Sequence, residues 1–283
     1  MMAIMSQPAS SHRASVRLWI PDQPGAWAMA LLPAIAGVVL AGANPTNLWL
    51  LVLWLLCYCT QFTAARWVKS RFRKRYRLPA LGYGAVLVVL GVPFVVMHPR
   101  VLIWAPLYVV LLALSMLAAW RRQERTLWGN AVAIIAACAM AVVTASFGAD
   151  VEAGVMPMSE GAPLEQYLTN VYPPFPRIGV LAAVLFALTQ FGSVLFVKTM
   201  IRERGNVPYL VASIAWHVGM VVGGFVLHPA LGGTALVLLA RAVALPLIAN
   251  KRTLKPIVPG LIELFASLLT FVMIIMSVPW LAV

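Results

Sequence analysis

The feature that most constrains this chain is a series of nine apolar segments, each about 18 or more residues long. A helix of ~20 apolar residues crosses the ~30 Å hydrocarbon core of a bilayer. Only 10% of the 283 residues are charged, too few to cover a soluble surface. We therefore predict an all-α polytopic membrane protein with spans near 24–42, 47–65, 78–97, 101–120, 128–147, 177–197, 207–227, 231–249 and 258–280.

The basic residues predict the orientation of these spans. If the N-terminus is cytoplasmic, 18 of the 21 lysines and arginines fall in inner segments, as the positive-inside rule requires. We expect a cytoplasmic tail at 1–20, a single nine-helix domain at 21–283 with its C-terminus outside, and an acidic extracytoplasmic loop at 148–176. The same rule explains the net charge of +13, so no nucleic-acid partner is expected.

An internal repeat joins the connections after the second and sixth predicted spans. "VKSRFRKRYRLPAL" (Val68–Leu81) and "VKTMIRERGNVPYL" (Val197–Leu210) align without a gap and share six of fourteen residues. Arg125–Leu127 and Arg252–Leu254, both Arg-Thr-Leu, match at nearly the same offset. We predict a parallel four-plus-four repeat about an axis along the membrane normal, with the ninth helix as an addition.

This predicted arrangement resembles the UbiA-type intramembrane prenyltransferases. In those enzymes the paired loops carry aspartate-rich motifs that hold magnesium against a prenyl diphosphate. Here the first loop has no acidic residue and the second has only Glu203, although magnesium needs oxygen ligands. The resemblance thus implies the fold but not an ordinary magnesium-dependent prenyltransferase, and we expect no metal and no cofactor.

Four stretches resemble the YwiC-like family of bacterial membrane proteins. They are "PDQPGAWAM" near the N-terminus, "FVKTMIRERGN" after span six, "RAVALPLI" in span eight and "PGLIELF" at the start of span nine. The resemblance implies a multi-pass protein of the bacterial cytoplasmic (inner) membrane, but no particular reaction. Family members usually read His-Gly-Ala-Trp at the first motif. Pro24 stands in place of that histidine, so any role it has in relatives is absent or relocated here.

The repeated basic residues are candidates for binding an anion or a lipid head group. Arginine binds phosphate or carboxylate with paired hydrogen bonds and needs no metal. Alternatively, these charges fix topology and contact anionic lipids, at about 1 kcal/mol each. The candidates are Lys69, Arg73 and Arg75, with their counterparts Lys198, Arg202 and Arg204.

Five further residues are candidates for a cavity or an ion pair. Arg241 is predicted at ~12 Å depth in span eight and Glu263 at ~8 Å in span nine. A charge so deep needs a partner or a wet cavity, so the two form an ion pair or Arg241 faces an anionic head group. His217 is a core or cavity histidine, Asp22 caps the first span or joins a site, and Glu203 is the only acid in the second repeated loop.

Three functions remain open. The first is binding of an isoprenoid or other anionic-headed lipid, with or without a reaction, in a groove beside the cytoplasmic arginines. The second is small-anion transport along a path past His217 and Arg241. The third is an accessory or assembly role with a protein partner. Membrane lipids are expected partners under all three.

Overall fold

A computed structural model describes residues 18–21, 24–153, 175–251 and 257–282. Throughout these ranges the long elements are α-helices and there is no strand, so the predicted all-α class is confirmed. We number the long helices α1 Pro24–Leu40, α2 Pro45–Lys69, α3 Arg77–Met97, α4 Ala105–Trp120, α5 Leu127–Ala145, α6 Arg177–Ile201, α7 Val207–Leu227, α8 Pro229–Lys251 and α9 Ile257–Ala282.

Local sequence signals set the helix boundaries. Asn44 caps α2 by accepting a hydrogen bond from the Asn47 amide (2.8 Å), and the Asn47 side chain accepts one from the Asn44 amide (2.9 Å). Thr126 and Asn206 cap α5 and α7 through their side-chain oxygens. Proline occupies the first turn of α2, α4 and α7, where a missing N–H costs nothing.

Every predicted span overlaps one of these helices. Eight of the described helical segments are long and apolar enough to cross a membrane. In α1 the apolar segment Gly25–Leu40 is shorter, and the two residues before α1 lie outside the described part. A multi-pass helical membrane protein is thereby established, while the count of nine spans stays a prediction.

Helices α1 and α5 form the centre of the bundle. Helix α1 packs on α2, α5, α6 and α9, and α5 also packs on α4 and α6. Small residues permit this approach: a side chain at Gly37 of α1 would collide with Thr144 and the Ala141 carbonyl of α5. Thr144 donates a hydrogen bond across the crossing to the Ala34 carbonyl (2.9 Å). Glycine and hydroxyl groups at helix contacts are typical of membrane bundles.

The other helices pack outward from this centre. On one side α2 packs on α3 and α4; on the other, α7 packs on α6 and α8, and α8 packs on α9. At the α7–α8 contact, a Cβ on Gly224 would lie 2.9 Å from the Gly232 backbone. Helices α6 to α9 therefore surround a common space in the C-terminal half.

Contacts between helix ends define two ends of the bundle. At the basic end, named here for its lysines and arginines, Lys69 and Lys198 both reach the α4–α5 loop. At the opposite end, Asn44 donates to the Phe147 carbonyl (2.8 Å) and Arg177 to the Ala282 carbonyl (3.2 Å). The helices thus alternate in direction. The predicted tail and most of the acidic loop lie outside the described residues.

Candidate functional site

The two repeated lysines bind neighbouring residues of one loop. The Nζ atom of Lys69 lies 2.8 Å from the Glu124 carboxylate, and that of Lys198 donates to the Arg125 carbonyl at 3.0 Å. Lys69 is exposed, whereas Lys198 is 8% exposed. The α4–α5 loop therefore links the ends of α2 and α6, and both lysines have structural partners.

The repeated arginines and Glu203 lie on the surface of the basic end. Arg73, Arg75, Arg202 and Arg204 are exposed. Arg75 lies against the Tyr76 ring, and Arg204 donates to the Ala249 carbonyl. Glu203 accepts a hydrogen bond from the Asn206 side chain (2.8 Å). These positions suit contact with lipid head groups, but none of them lines the apolar groove described below.

Arg241 and Glu263 form a buried ion pair between α8 and α9. Their side chains are 7% and 9% exposed, and the Nη1 atom of Arg241 donates to Glu263. Ser193 of α6 lies close to the Glu263 carboxylate. The Arg241 guanidinium lies over the Phe196 ring, 4.4 Å from its centroid. The structure thus joins two residues that the sequence placed at similar depths on neighbouring helices.

The ion pair uses only part of the Arg241 guanidinium. Its Nε and Nη2 atoms are buried and have no hydrogen-bond partner within the part of the chain that the structure describes. These two nitrogens form one edge of the fork, with donors side by side. Buried donors without partners cost about 1–3 kcal/mol each. Because buried donors in folded proteins are normally paired, this donor edge indicates a missing acceptor, and an oxygen atom of a ligand can fill that role.

His217 presents a second unpartnered group nearby. The ring is fully buried, and its Nδ1 atom lies 2.7 Å from the Ser213 carbonyl oxygen. Because a carbonyl only accepts, Nδ1 carries the hydrogen, and Nε2 of the neutral ring is an acceptor. That Nε2 atom has no hydrogen-bond partner among the described residues. It faces Gly192 of α6, where an added Cβ would lie 3.2 Å away.

These groups lie in one layer of the bundle, which we call the polar layer: Ser193, Ser213, His217, Arg241 and Glu263. By helical rise each is ~9–15 Å from the basic end of its helix. On α6, Gly192 lies against His217, and the Phe196 ring lies against the Arg241 guanidinium. Gly192 and Phe196 are about one helical turn apart.

An apolar groove of about 320 Å³ lies between this layer and the opposite end of the bundle. It lies between α6, α7, α8 and α9 and includes small residues and three threonines. Its inner end reaches Leu238, one helical turn from Arg241. The lining residues are Leu185, Leu188, Thr189, Ala215, Trp216, Gly219, Met220, Gly223, Gly224, Leu227, Leu231, Thr234, Ala235, Leu238, Thr270 and Ile274.

The first sequence motif contributes packing. Asp22 lies outside the described residues, so its predicted cap or site role stays a prediction. Trp27 donates to the Pro21 carbonyl (3.0 Å), and its ring meets that of Tyr58 at 5.1 Å. The Gly-Ala-Trp stretch thereby attaches the start of α1 to α2.

The internal repeat is longer than the basic loops alone indicate. Thr60-Gln61-Phe62 of α2 and Thr189-Gln190-Phe191 of α6 are identical and keep the offset of the loop match. Thr60 donates to Leu56 (2.7 Å) and Thr189 to Leu185 (2.9 Å), which are also equivalent positions. An ungapped extension of the loop alignment would have found this signal.

Long apolar helices around a small buried polar layer define the class: a multi-pass α-helical membrane protein. A family model described as YwiC-like protein matches residues 20–145. An uncharacterised protein of Haemophilus influenzae is 26% identical over 263 residues, which is 93% of this chain and 99% of the relative.

The protein named YwiC of Bacillus subtilis, also described as uncharacterised, is 26% identical over 200 residues, 70% of this chain and 74% of its own length. The predicted resemblance to the YwiC-like family of bacterial membrane proteins is thereby confirmed. No solved structure matches the chain.

Proposed function

We propose that this protein binds an isoprenoid or other long-chain lipid between the helices of its C-terminal half. The observation that carries the proposal is the groove along α6–α9, whose inner end at Leu238 lies one helical turn from Arg241, a residue with buried donors that have no partner among the described residues. An apolar groove with a few convergent polar groups at one end suits an amphipathic ligand.

The proposed orientation places the lipid head toward the cytoplasm. With the N-terminus inside, the basic end faces the cytoplasm and its exposed arginines contact anionic head groups of the inner membrane. We also propose nine spans in a single domain at 21–283, with 148–176 outside. Helix α1 supports this count, because its 17 residues cover ~25 Å.

A UbiA-like four-plus-four repeat is part of this proposal. In this repeat α1 to α4 are equivalent to α5 to α8. The contacts of α2 with α3 and α4 then match those of α6 with α7 and α8. The contact of α1 with α6 likewise matches the contact of α5 with α2. The Thr-Gln-Phe match supports the same equivalence. The groove described above lies in the C-terminal half of this arrangement.

Lipid retained during gentle purification tests the proposal. Gly219 and Gly223 line the groove, and nothing lies within 4 Å of a Cβ added at either. Leucine at Gly223 should therefore fill the groove without moving the backbone, and reduce copurified lipid about tenfold, a loss of about 1.4 kcal/mol. Gly84→Leu in α3, also with nothing within 4 Å, is the matched control. Equal lipid in wild type and Gly223→Leu would refute the proposal.

Small-anion transport is the second candidate, because a buried arginine with unused donors can bind an anion in transit. Reconstituted vesicles distinguish the two functions. Transport requires anion uptake that Arg241→Met abolishes and Gly223→Leu leaves intact, since an anion path does not need the apolar groove.

A further inference from the structure

The groups left unpartnered in the polar layer specify the head of the bound molecule. Among the described residues, Arg241 offers two N–H donors at Nε and Nη2, His217 offers one acceptor at Nε2, and the Ser213 hydroxyl is also unpartnered. The ligand must therefore supply an oxygen that accepts from Arg241 and an O–H that donates to His217. A hydroxyl group does both.

Charge balance points to an uncharged head. Glu263 already neutralises Arg241, and the pair is less than 10% exposed. Adding a phosphate or carboxylate there would leave an excess negative charge in a medium of low polarity, which is costly. A neutral hydroxyl satisfies the same donors without that cost.

The lining of the groove determines which kind of ligand chain it can hold. Its lining is apolar apart from three threonines, and the threonine hydroxyls of Thr189 and Thr234 are already donated to carbonyls within their own helices (2.9 and 2.8 Å). With these two hydroxyls engaged, the lining of the groove is mostly apolar. A single flexible apolar chain suits it, with its polar end at Leu238 and Arg241.

We propose that the site binds a lipid alcohol: an isoprenoid or similar chain in the groove, with a neutral hydroxyl-bearing head between Arg241 and His217. This inference rests on the proposed lipid function and narrows its ligand class. It assigns the anionic head groups of the membrane to the exposed arginines of the basic end instead.

A matched pair of probes tests the inference. Farnesol and farnesyl phosphate carry the same chain and differ only in the head. Titration of the purified full-length protein, followed by native mass spectrometry, should show farnesol binding at least about tenfold tighter than farnesyl phosphate. Gly84→Leu in α3, which lies outside the groove and meets no described atom within 4 Å of the added Cβ, should bind both probes as wild type does.

Two variants remove a hydrogen-bonding group of the proposed head site while keeping a positive charge beside Glu263. Arg241→Lys keeps a cation for Glu263 but lacks the Nε–Nη2 edge, so it should lose about tenfold in farnesol affinity while remaining folded. His217→Phe keeps the ring volume and should show a similar loss. Thermal unfolding of each variant identifies a loss of affinity that comes from misfolding. The double variant Arg241→Met with Glu263→Met removes the donors without leaving an unpaired buried charge, and so tests the same contact in a second way.

The possible outcomes are distinct. Tighter binding of farnesyl phosphate, retained in Arg241→Lys, would overturn the neutral head while leaving lipid binding intact. Failure of both probes to bind, together with unchanged copurified lipid in Gly223→Leu, would overturn the lipid function as well. Preference for farnesol with losses in both variants supports the inference.

Discussion

Lys69 and Lys198, equivalent positions of the internal repeat, bind adjacent residues of the α4–α5 loop. One contact is an exposed ion pair to the Glu124 side chain, and the other is a part-buried hydrogen bond from the buried Lys198 to the Arg125 carbonyl. The repeat has therefore kept the residue type and its target loop while the two environments have diverged.

This divergence predicts unequal costs for removing the two lysines. Lys198→Met keeps the apolar stem but leaves the Arg125 carbonyl unpaired, so we expect a loss of about 1.5–3 kcal/mol, typical of hydrogen bonds with charged donors. Lys69→Met should cost about 0.5 kcal/mol or less, because solvent screens its pair. Reversible unfolding in mixed micelles measures both, with Lys74→Met, an exposed position, as control. Equal effects at Lys69 and Lys198 would contradict this difference in burial.

The α1–α5 crossing predicts a strong dependence on glycine. Alanine at Gly37 would collide with Thr144 and the Ala141 backbone, forcing the central helices apart at a cost of about 1–3 kcal/mol. Gly84→Ala in α3 meets nothing within 4 Å and should be neutral or stabilising by up to about 1 kcal/mol, because alanine favours helix. Melting temperatures of the two purified variants make the comparison. A stable Gly37→Ala protein would show that the crossing is looser than the structure indicates.

Cysteine labelling tests the predicted orientation. Lys74→Cys lies at the basic end and Ala43→Cys in the α1–α2 loop at the opposite end, and both positions are exposed. In intact cells a membrane-impermeant maleimide should label Ala43→Cys and reach Lys74→Cys only after permeabilisation. The background variant replaces Cys57, Cys59 and Cys138, none of which is exposed. The reverse labelling pattern would invert the bundle and the proposed location of the lipid head.

Much of the fold follows from the sequence because hydrophobic length and turn chemistry are local. The nine apolar segments overlap the helices, and the polar caps fall at Asn44, Thr126 and Asn206. The contact of Arg241 with Glu263 also follows, since α8 and α9 are consecutive and both charges lie at similar depth. Adjacent antiparallel helices bring such residues together without further information.

The rest of the site depends on contacts between distant parts of the chain. Nothing local indicates that α6 and α7 place Ser193 and His217 beside Arg241, or that glycines of α7 open a groove. The shared loop for Lys69 and Lys198 depends likewise on how the two halves meet. The Thr-Gln-Phe repeat was readable in the sequence and supports that equivalence.

The last prediction concerns the Arg241–Glu263 pair, whose variants should affect protein stability and lipid binding differently. Arg241→Ala and Glu263→Ala each strand one buried charge, so each should cost about 3–5 kcal/mol and sharply lower the yield of folded protein. Exchanging the charges with Arg241→Glu and Glu263→Arg should recover only part of this. The exchanged arginine loses its contact with Phe196, and the exchanged carboxylate loses Ser193.

Replacing both residues by methionine should behave differently. It removes the two charges together with the unpartnered Nε and Nη2 donors, so the variant should be as stable as wild type or more so. It should nevertheless lose copurified lipid, because the donors that bind the head are gone. Fluorescence-detected gel filtration, thermal unfolding and lipid quantification on the same preparations measure both properties. A double-methionine variant that retained the lipid would show that the pair serves packing alone.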